Sequence, residues 1–509
     1  MVVKKEVGFE DAFQQSFEET KNSVSISEFR RKLGIPLVLA RKMIVWGMVE
    51  ATIAADGTFR ITNEELEETR IFLKHPWNRT RLYFRSLGPG LITGASDDDP
   101  SGIATYSSVG AQFGLSLLWL CLWTTPMMLA IQETCARIGV VTNRGLSNVL
   151  QSHYKKGVVG AAVVLLIIAN VANIGADIGA MTASLQLLVD LPFTLIAIGF
   201  AVLTILLEIF VPYHRYVKVL KWLTVSVLAY IVTGFIVQPD WHEVLKKTFS
   251  PEVRLTKEYI FAIVAFLGTT ITPYLFFWQT SEEVEENHLS HAKMTPERRD
   301  RRITSMRSDV KFGMILSNLI AYFIVLTTAS VLFKNGVTNI ESAEQAASAL
   351  EPLVATGGAF SNFLANFGIT GGMFAKFLFA AGIIGVGLLA IPILAGASSY
   401  ALSELMGWKE GLEKKFKQAK GFYIIITLSI IVGLLLNFIG INPMKALYYA
   451  AFLNGAIAVP LMAVIMVVGD DKKIMGDETH PKWVKFFGWM AVYAMGAAVL
   501  LTLVLNKIQ

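Results

Sequence analysis

The sequence predicts an all-α membrane protein of about eleven transmembrane helices, arranged as two successive five-span blocks of opposite orientation. Three observations predict it. First, 53% of the 509 residues are hydrophobic and only 17% are charged, where a soluble chain carries about a quarter charged residues. Second, the apolar residues fall in runs of about 20, long enough to cross about 30 Å of hydrocarbon. Third, the first and sixth runs are both interrupted, at "SDDDPSG" and "LGTTITPYLFFWQTSEEVEE". Pro100, Gly102 and Pro273 break the i→i−4 ladder. Interruptions in the opening helices of two five-span blocks are the layout of an inverted repeat with a site at the bilayer midplane.

The spans read as 87–107 (interrupted), 114–139, 158–189, 193–211, 218–237, 258–280 (interrupted), 311–333, 374–403, 421–440, 444–468 and 484–506. Residues 1–80 are polar, without a leader-type apolar core. With the N-terminus taken as cytoplasmic, the cytoplasmic loops hold 22 Lys and Arg and the external ones seven. That bias predicts N-inside, C-outside, in a multi-pass protein of a prokaryotic plasma membrane. The long segment 334–373 is poor in positive charge and is placed outside. Cys121 and Cys135 fall in one span, 14 residues apart. Their separation of about 21 Å along a helix precludes pairing.

Residues 1–80 form a separate cytosolic domain, and residues 85–509 the transporter domain. The stretch "SISEFRRKLGIPLVLARKMIVWGMVEATIAADGTFRITNEELEE" reads as helix, turn, helix and a hairpin turning at Asp56-Gly57. It resembles a small winged helix-turn-helix module. Its second helix offers Arg41 and Lys42 and little else polar for base edges, so no nucleic-acid partner is expected.

Asp97, Asp98 and Asp99 run straight into Pro100 inside a membrane span. Charged groups at that depth are costly and functional by default. Unwound backbone there frees carbonyls, which coordinate cations well. Asp99 is therefore predicted to face a cation, with its two neighbours either sharing that site or lining an external vestibule.

At these residues the chain resembles the NRAMP family of divalent-metal transporters, over most of residues 85–506. "GPGLITGASDDDPSG" matches the family's "GPG…DPGN" signature, with Gly88-Pro89-Gly90 and Asp99-Pro100 at the same spacing. "LGTTITPY" matches its "LGATVMPH", and "ANIGADIGAMTASLQLL" its "TDLAEVIGAA". The resemblance implies a LeuT-type 5+5 inverted repeat. It also implies a metal site of the Asp99 carboxylate, backbone carbonyls near Ser96 and Thr269, and side chains at 102 and 272.

The departures carry the specificity. The family's asparagine is Gly102, its methionine is Thr272, and the histidine after the proline is Tyr274. In the third span Asp177 replaces a glutamate and Ile174 an aspartate. The tenth-span glutamine falls near Phe452, with Asn454 the nearest polar residue. What remains is oxygen, which suits Mg²⁺, Ca²⁺ or Mn²⁺. Mg²⁺ dehydrates reluctantly, and Gly102 with Thr272 leaves room for its waters. The chain looks like the NRAMP-related magnesium-transporter branch: Mg²⁺ or Mn²⁺ as transported ion, no cofactor, the divalent ion and the lipid bilayer as partners.

Candidate metal groups are Asp99, Asp98, Ser96, Thr269, Thr272 and Gly102. Candidate pathway groups are Asp97, Tyr274, Asp177, Asn454, Glu282 and Glu283. For Glu282, Glu283, Glu285 and Glu286, a solvated face balancing the basic 298–302 run is the stronger expectation than an exit path. Glu133 and Arg137 are expected to pair at i,i+4, and Glu404 to be interfacial. No GxxxxGK[ST] loop or nucleophile–base set is present, so neither an ATP-driven pump nor an enzyme is expected. Two other readings compete with uncoupled Mg²⁺ transport by alternating access. One is a proton-coupled Mn²⁺/Fe²⁺ symporter; the other is a membrane-anchored, metal-sensing regulator acting through residues 1–80.

Overall fold

The computed structural model describes residues 23–35, 40, 43–44, 49, 51–53, 59–74, 93–94, 97–211, 225–289, 296–355, 370–412 and 414–508. Several expected features lie outside them: Ser96, Gly88-Pro89-Gly90, Arg41 and Lys42, the Asp56-Gly57 turn, and the basic residues Arg215, Lys218, Lys221 and Lys293. The chain divides into two compact units, Met1–Gly88 and Pro89–Gln509.

In the first unit, β1 (Ser23–Ser25), β2 (Thr52–Ile53) and β3 (Phe59–Thr62) form an antiparallel sheet in the order β1-β3-β2. Val24 pairs with Ile61, and Thr52 with Arg60. Helix α1 (Ile26–Leu33) starts at Ser25, whose hydroxyl accepts from the Glu28 amide at 3.3 Å. It ends at Gly34, in the left-handed region at φ 62°, the usual glycine stop. Helix α2 (Asn63–Lys74) follows the sheet. Phe29, Ile61 and Leu66 anchor a small core of their own.

The second unit is helical among the described residues. Its principal helices are α3 (Pro100–Phe113), α4 (Trp119–Thr142), α5 (Lys156–Leu185), α6 (Phe193–Phe210), α7 (Ala229–Ile236), α8 (Lys257–Thr270), α9 (Pro273–Leu289), α10 (Pro296–Val331), α11 (Gly371–Met406), α12 (Lys420–Leu436), α13 (Pro443–Asp470) and α14 (Lys482–Ile508). Every one of the eleven segments read from the sequence overlaps one or two of them. Among the described residues, seven spans are long and apolar enough on their own to cross a membrane. Ser226–Ile236 and Lys420–Leu436 are shorter, and the remaining two are Pro100–Leu117 and Trp119–Thr142, bent 108° apart. The molecule is an integral, multi-pass membrane protein.

Burial sorts the spans. The apolar window of Lys257–Asn287, the broken sixth span, is 94% buried, against 33% for α6 and 28% for α14. The broken helix is therefore central, while α6 and α14 turn apolar side chains such as Leu206, Phe210 and Val504 outward, towards lipid. Small residues allow the close crossings that lipid-embedded bundles use in place of hydrophobic collapse. A Cβ on Gly268 would lie 2.4 Å from the Gly455 nitrogen, and one on Gly455 2.7 Å from the Val264 carbonyl oxygen. The α8 and α13 backbones touch there, immediately before the sixth-span break.

Helix α10 begins at Pro296, well before the expected start of the seventh span, and this extension corrects one expectation. Glu283 is buried, not solvated: Arg302 donates to its carboxylate at 3.0 Å and to Glu286 at 3.1 Å. Glu404, expected to be interfacial, is buried within the protein. It accepts from the Asn148 amide at 3.1 Å and the Ser281 hydroxyl at 3.2 Å. Its partners lie on the short helix Leu146–Gln151 and on α9.

Glu133 and Arg137 do pair, at 2.6 Å, and Arg307 joins them at 2.7 Å. Removing one partner from such a buried cluster costs about 3–5 kcal/mol, so it ties one end of α4 firmly to α10. His480, in the 471–481 connection, is held down to about 4 chiefly by burial, and stays neutral near pH 7.

Every candidate ion-site residue lies in the second unit. Deleting residues 1–78 is therefore expected to leave basal metal uptake in liposomes within about twofold of the full chain. Complete loss of flux from a folded, monodisperse truncation would make the first unit part of the mechanism.

Candidate functional site

The site is built on two helix breaks. At the first, Asp99 has extended backbone (φ −64°, ψ 174°) and caps α3. Its Oδ1 accepts from the Gly102 amide at 2.7 Å, and Pro100 occupies the first helical turn, where its missing N–H costs nothing. At the second, Thr270 ends α8, Pro273 opens α9, and Ile271 and Thr272 bridge them. The interruptions therefore fall at the Asp-Pro and Thr-Pro steps of the sequence, where the residue before the proline is biased away from helical backbone. Pro126, Pro392 and Pro460, by contrast, stand inside continuous helices.

The acidic trio divides. Ser317, on α10, donates its hydroxyl to Asp97 Oδ2 at 2.7 Å, and Asp98 Oδ1 lies 3.2 Å from it. Asp99 turns the other way, and its Oδ2 accepts from Asn173 Nδ2 on α5 at 2.8 Å. Asp98 thus sits with Asp97 rather than beside Asp99. All three are at most 3% exposed.

Gly102 marks the space between the breaks. A Cβ there would lie 3.4 Å from each of the Asp97 carbonyl oxygen, Thr269 Oγ1 and the Tyr106 ring. The Asp97 carbonyl and the Thr269 hydroxyl therefore border one glycine-sized gap, with the Asp99 cap on its floor. Thr269 Oγ1 and Thr272 Oγ1 are buried and have no hydrogen-bond partner. Satisfied buried polar groups are the rule, so these two hydroxyls beside the sixth-span break are open to accept a ligand or its waters.

The remaining candidates disperse. Tyr274 is fully buried within Coulombic reach of Asp99, Asp97 and Asp177. Asp177 lies on α5, buried, with both carboxylate oxygens unpartnered. Asn454, on α13 beside the Gly268–Gly455 crossing, is likewise buried with both amide atoms unpartnered. Glu283 lies two turns and more beyond Tyr274 on α9. There Gln279 donates to it at 3.1 Å and accepts from Thr93 at 2.7 Å. Glu282 is half-buried on the same helix.

Ile174, at the family's aspartate position, packs on Gly433 of α12, whose Cβ would lie 2.7 Å from its Cγ2. Met181 turns its sulfur onto Gly387 of α11. Among the described residues no group of three or more His, Cys, Asp or Glu is disposed to hold a metal ion. A cavity of about 290 Å³ opens beside Gly175, Ala176, Asn437 and Leu453, and none of the candidate ligands lines it.

Sequence reasoning missed two residues. Ser317 collects Asp97 and Asp98, and Asn173 holds Asp99. The signal for Asn173 was present: an amide in an apolar span, four residues before Asp177 and so on the same helix face.

The fold itself is shared with solved transporters. The structure of the Eremococcus coleocola manganese transporter in complex with an aromatic bis-isothiourea substituted compound matches with a TM-score of 0.65 and 16% identity, over 83% of this chain and 87% of that one. A point mutant of the same transporter matches with a TM-score of 0.65 and 17% identity, over 83% and 86%. The breaks at Asp99-Pro100 and Thr272-Pro273 thus sit in a LeuT-type frame of two five-span repeats. The family description "natural resistance-associated macrophage protein-like" matches residues 90–505, well over half of the chain. With its signature residues standing at the first of those breaks, the chain belongs to the Nramp family.

Proposed function

We propose that this chain moves divalent cations across the membrane by alternating access, preferring Mg²⁺, accepting Mn²⁺, and not coupling either to protons. One observation carries the reading: at the two breaks the groups left open are hard oxygens. They are the Asp99 carboxylate, the Asp97 carbonyl and the unpartnered Thr269 and Thr272 hydroxyls. Hard oxygen ligation suits Mg²⁺ and Mn²⁺ over softer ions. The manganese transport named for the Eremococcus coleocola protein supports the class of substrate. The basic bias of the loops supports a cytoplasmic N-terminus and an external C-terminus. On that orientation the Glu133–Arg137–Arg307 and Glu283–Arg302 clusters lie towards the cytoplasmic end.

The absence of coupling rests on chemistry. Ile174 cannot titrate, and a phenol such as Tyr274 titrates at about 10 in water. A divalent ion gains about 4.6 kcal/mol from a 100 mV potential, sufficient to drive accumulation without protons. The symporter reading would need Asp177 as its carrier. In liposomes loaded with a pH dye, at clamped potential, an inward Mg²⁺ or Mn²⁺ gradient is expected to leave lumenal pH unchanged while a metal dye reports uptake. Acidification that accompanies uptake and disappears in Asp99→Ala would replace the uniport with a symporter.

A further inference from the structure

The third span carries two buried polar groups that the site described so far does not use. Asn173 donates through Nδ2 to Asp99 Oδ2 at 2.8 Å, while its Oδ1 is buried without a partner. Asp177 stands one turn further along α5, a rise of about 6 Å on the same face. It is fully buried, and neither oxygen has a hydrogen-bond partner. The Ser101 amide approaches it without closing a hydrogen bond. Asp177 and Asp99 lie within Coulombic reach of each other, and Tyr274 within reach of both.

We propose that the third span completes the ion site, with the Asn173 amide oxygen and the Asp177 carboxylate as cation-ligating groups. The divalent ion would then pass between two carboxylates instead of resting on one. This rests on the reading of Asp99 as an ion ligand.

Three physical arguments support it. A buried carboxylate with no donor and no counter-charge is unstable by several kcal/mol. Asn173 and Ser101 place Asp177 beside the group already assigned to the ion, so the ion is the counter-charge at hand. Electrostatics agrees, since a second carboxylate beside Asp99 strengthens the attraction for a divalent ion in a low-dielectric interior. Finally, Gly102 removes an amide that the family's signature supplies from the first span. Asn173 brings an amide oxygen up to Asp99 from the third span, and its hydrogen bond to Asp99 fixes its orientation. Both groups are hard oxygen donors, so they favour Mg²⁺ and Mn²⁺ over softer ions.

The test is calorimetric Mn²⁺ and Mg²⁺ binding to the purified full chain, with KM and maximal rate of uptake in liposomes and the melting temperature with and without Mg²⁺. Asp177→Asn keeps the side-chain volume and removes the charge. It is expected to raise both Kd and KM by about tenfold or more, to abolish the Mg²⁺-induced rise in melting temperature, and to leave the metal-free melting temperature nearly unchanged. Asn173→Ala is expected to weaken binding by about fivefold and provides an independent reading if Asp177→Asn is not monodisperse. Asp177→Glu, which retains a carboxylate, is expected to recover most of the lost affinity.

Binding unchanged within about twofold in both Asp177→Asn and Asn173→Ala, while Asp99→Ala loses it, overturns the third-span ligands and leaves the proposed function standing. A lowered metal-free melting temperature with normal Kd overturns them equally, since that is a structural carboxylate. If Asp99→Ala also binds normally, the ion site itself has been misplaced.

Discussion

Asp99→Ala is expected to abolish Mg²⁺ and Mn²⁺ uptake in liposomes, to background. Asp99 is the carboxylate that stands at the first break, with one oxygen on the Gly102 amide and the other on Asn173. About two acceptor positions remain open on those two oxygens once both hydrogen bonds are made, enough to ligate a cation without giving up the cap. Loss of the cap alone costs about 1 kcal/mol, which this large bundle tolerates. The companion variant Asp99→Asn separates charge from structure. Its amide oxygen can still accept from Gly102, and Asn173 can turn its own oxygen towards the new amide nitrogen. Asp99→Asn is therefore expected to keep the wild-type melting temperature and to lose transport. Wild-type flux from purified Asp99→Asn would remove Asp99 from the list of ligands. Asp98→Ala is the comparison. Because Asp98 shares Ser317 with Asp97, it is expected to change uptake by no more than a few-fold.

The breaks were legible in the sequence because proline acts locally. Pro100 and Pro273 remove a backbone donor and disfavour helix in the preceding residue, and both breaks stand at those steps. Pro126, Pro392 and Pro460, by contrast, are carried inside continuous helices, so it was the polar Asp and Thr residues beside Pro100 and Pro273 that singled them out. The long apolar runs were legible because the bilayer sets a minimum length. The division of the acidic trio was not. Successive residues in an unwound stretch point in directions set by tertiary neighbours, and Ser317 and Asn173 come from spans more than 200 and 70 residues away. Nor was the burial of Glu283. Periodicity marked where the seventh span becomes apolar, but α10 runs as helix through the polar residues before it and brings Arg302 against α9. Sequence distance also hid the Gly268–Gly455 crossing, which positions Asn454 near the sixth-span break.

Gly102→Asn combined with Thr272→Met is expected to shift selectivity from Mg²⁺ towards Mn²⁺ and Cd²⁺. The geometry at Gly102 decides whether the experiment can be read. A Cβ there meets its three nearest neighbours at 3.4 Å, at the edge of ordinary van der Waals contact, so the backbone accepts a side chain without rearrangement. The rest of the asparagine then projects past the Asp97 carbonyl and the Thr269 hydroxyl, into the gap where a partly hydrated ion would keep its waters. Thr272→Met replaces a buried, unpartnered hydroxyl at the sixth-span break with a polarizable thioether. The two changes act together: the amide displaces water, and the sulfur supplies a soft ligand. Mg²⁺ loses most from both, because it holds its water shell tightly and gains little from sulfur. Calorimetric titration of wild type and double variant is expected to change the ratio of Mg²⁺ to Mn²⁺ affinity by about tenfold or more, with Cd²⁺ binding gained. The single variants report the parts: Gly102→Asn should weaken Mg²⁺ without gaining Cd²⁺, and Thr272→Met should gain Cd²⁺ with a smaller loss of Mg²⁺. An unchanged ratio in the folded double variant would mean that neither position faces the ion, and the oxygen-only site would have to be sought elsewhere in the bundle.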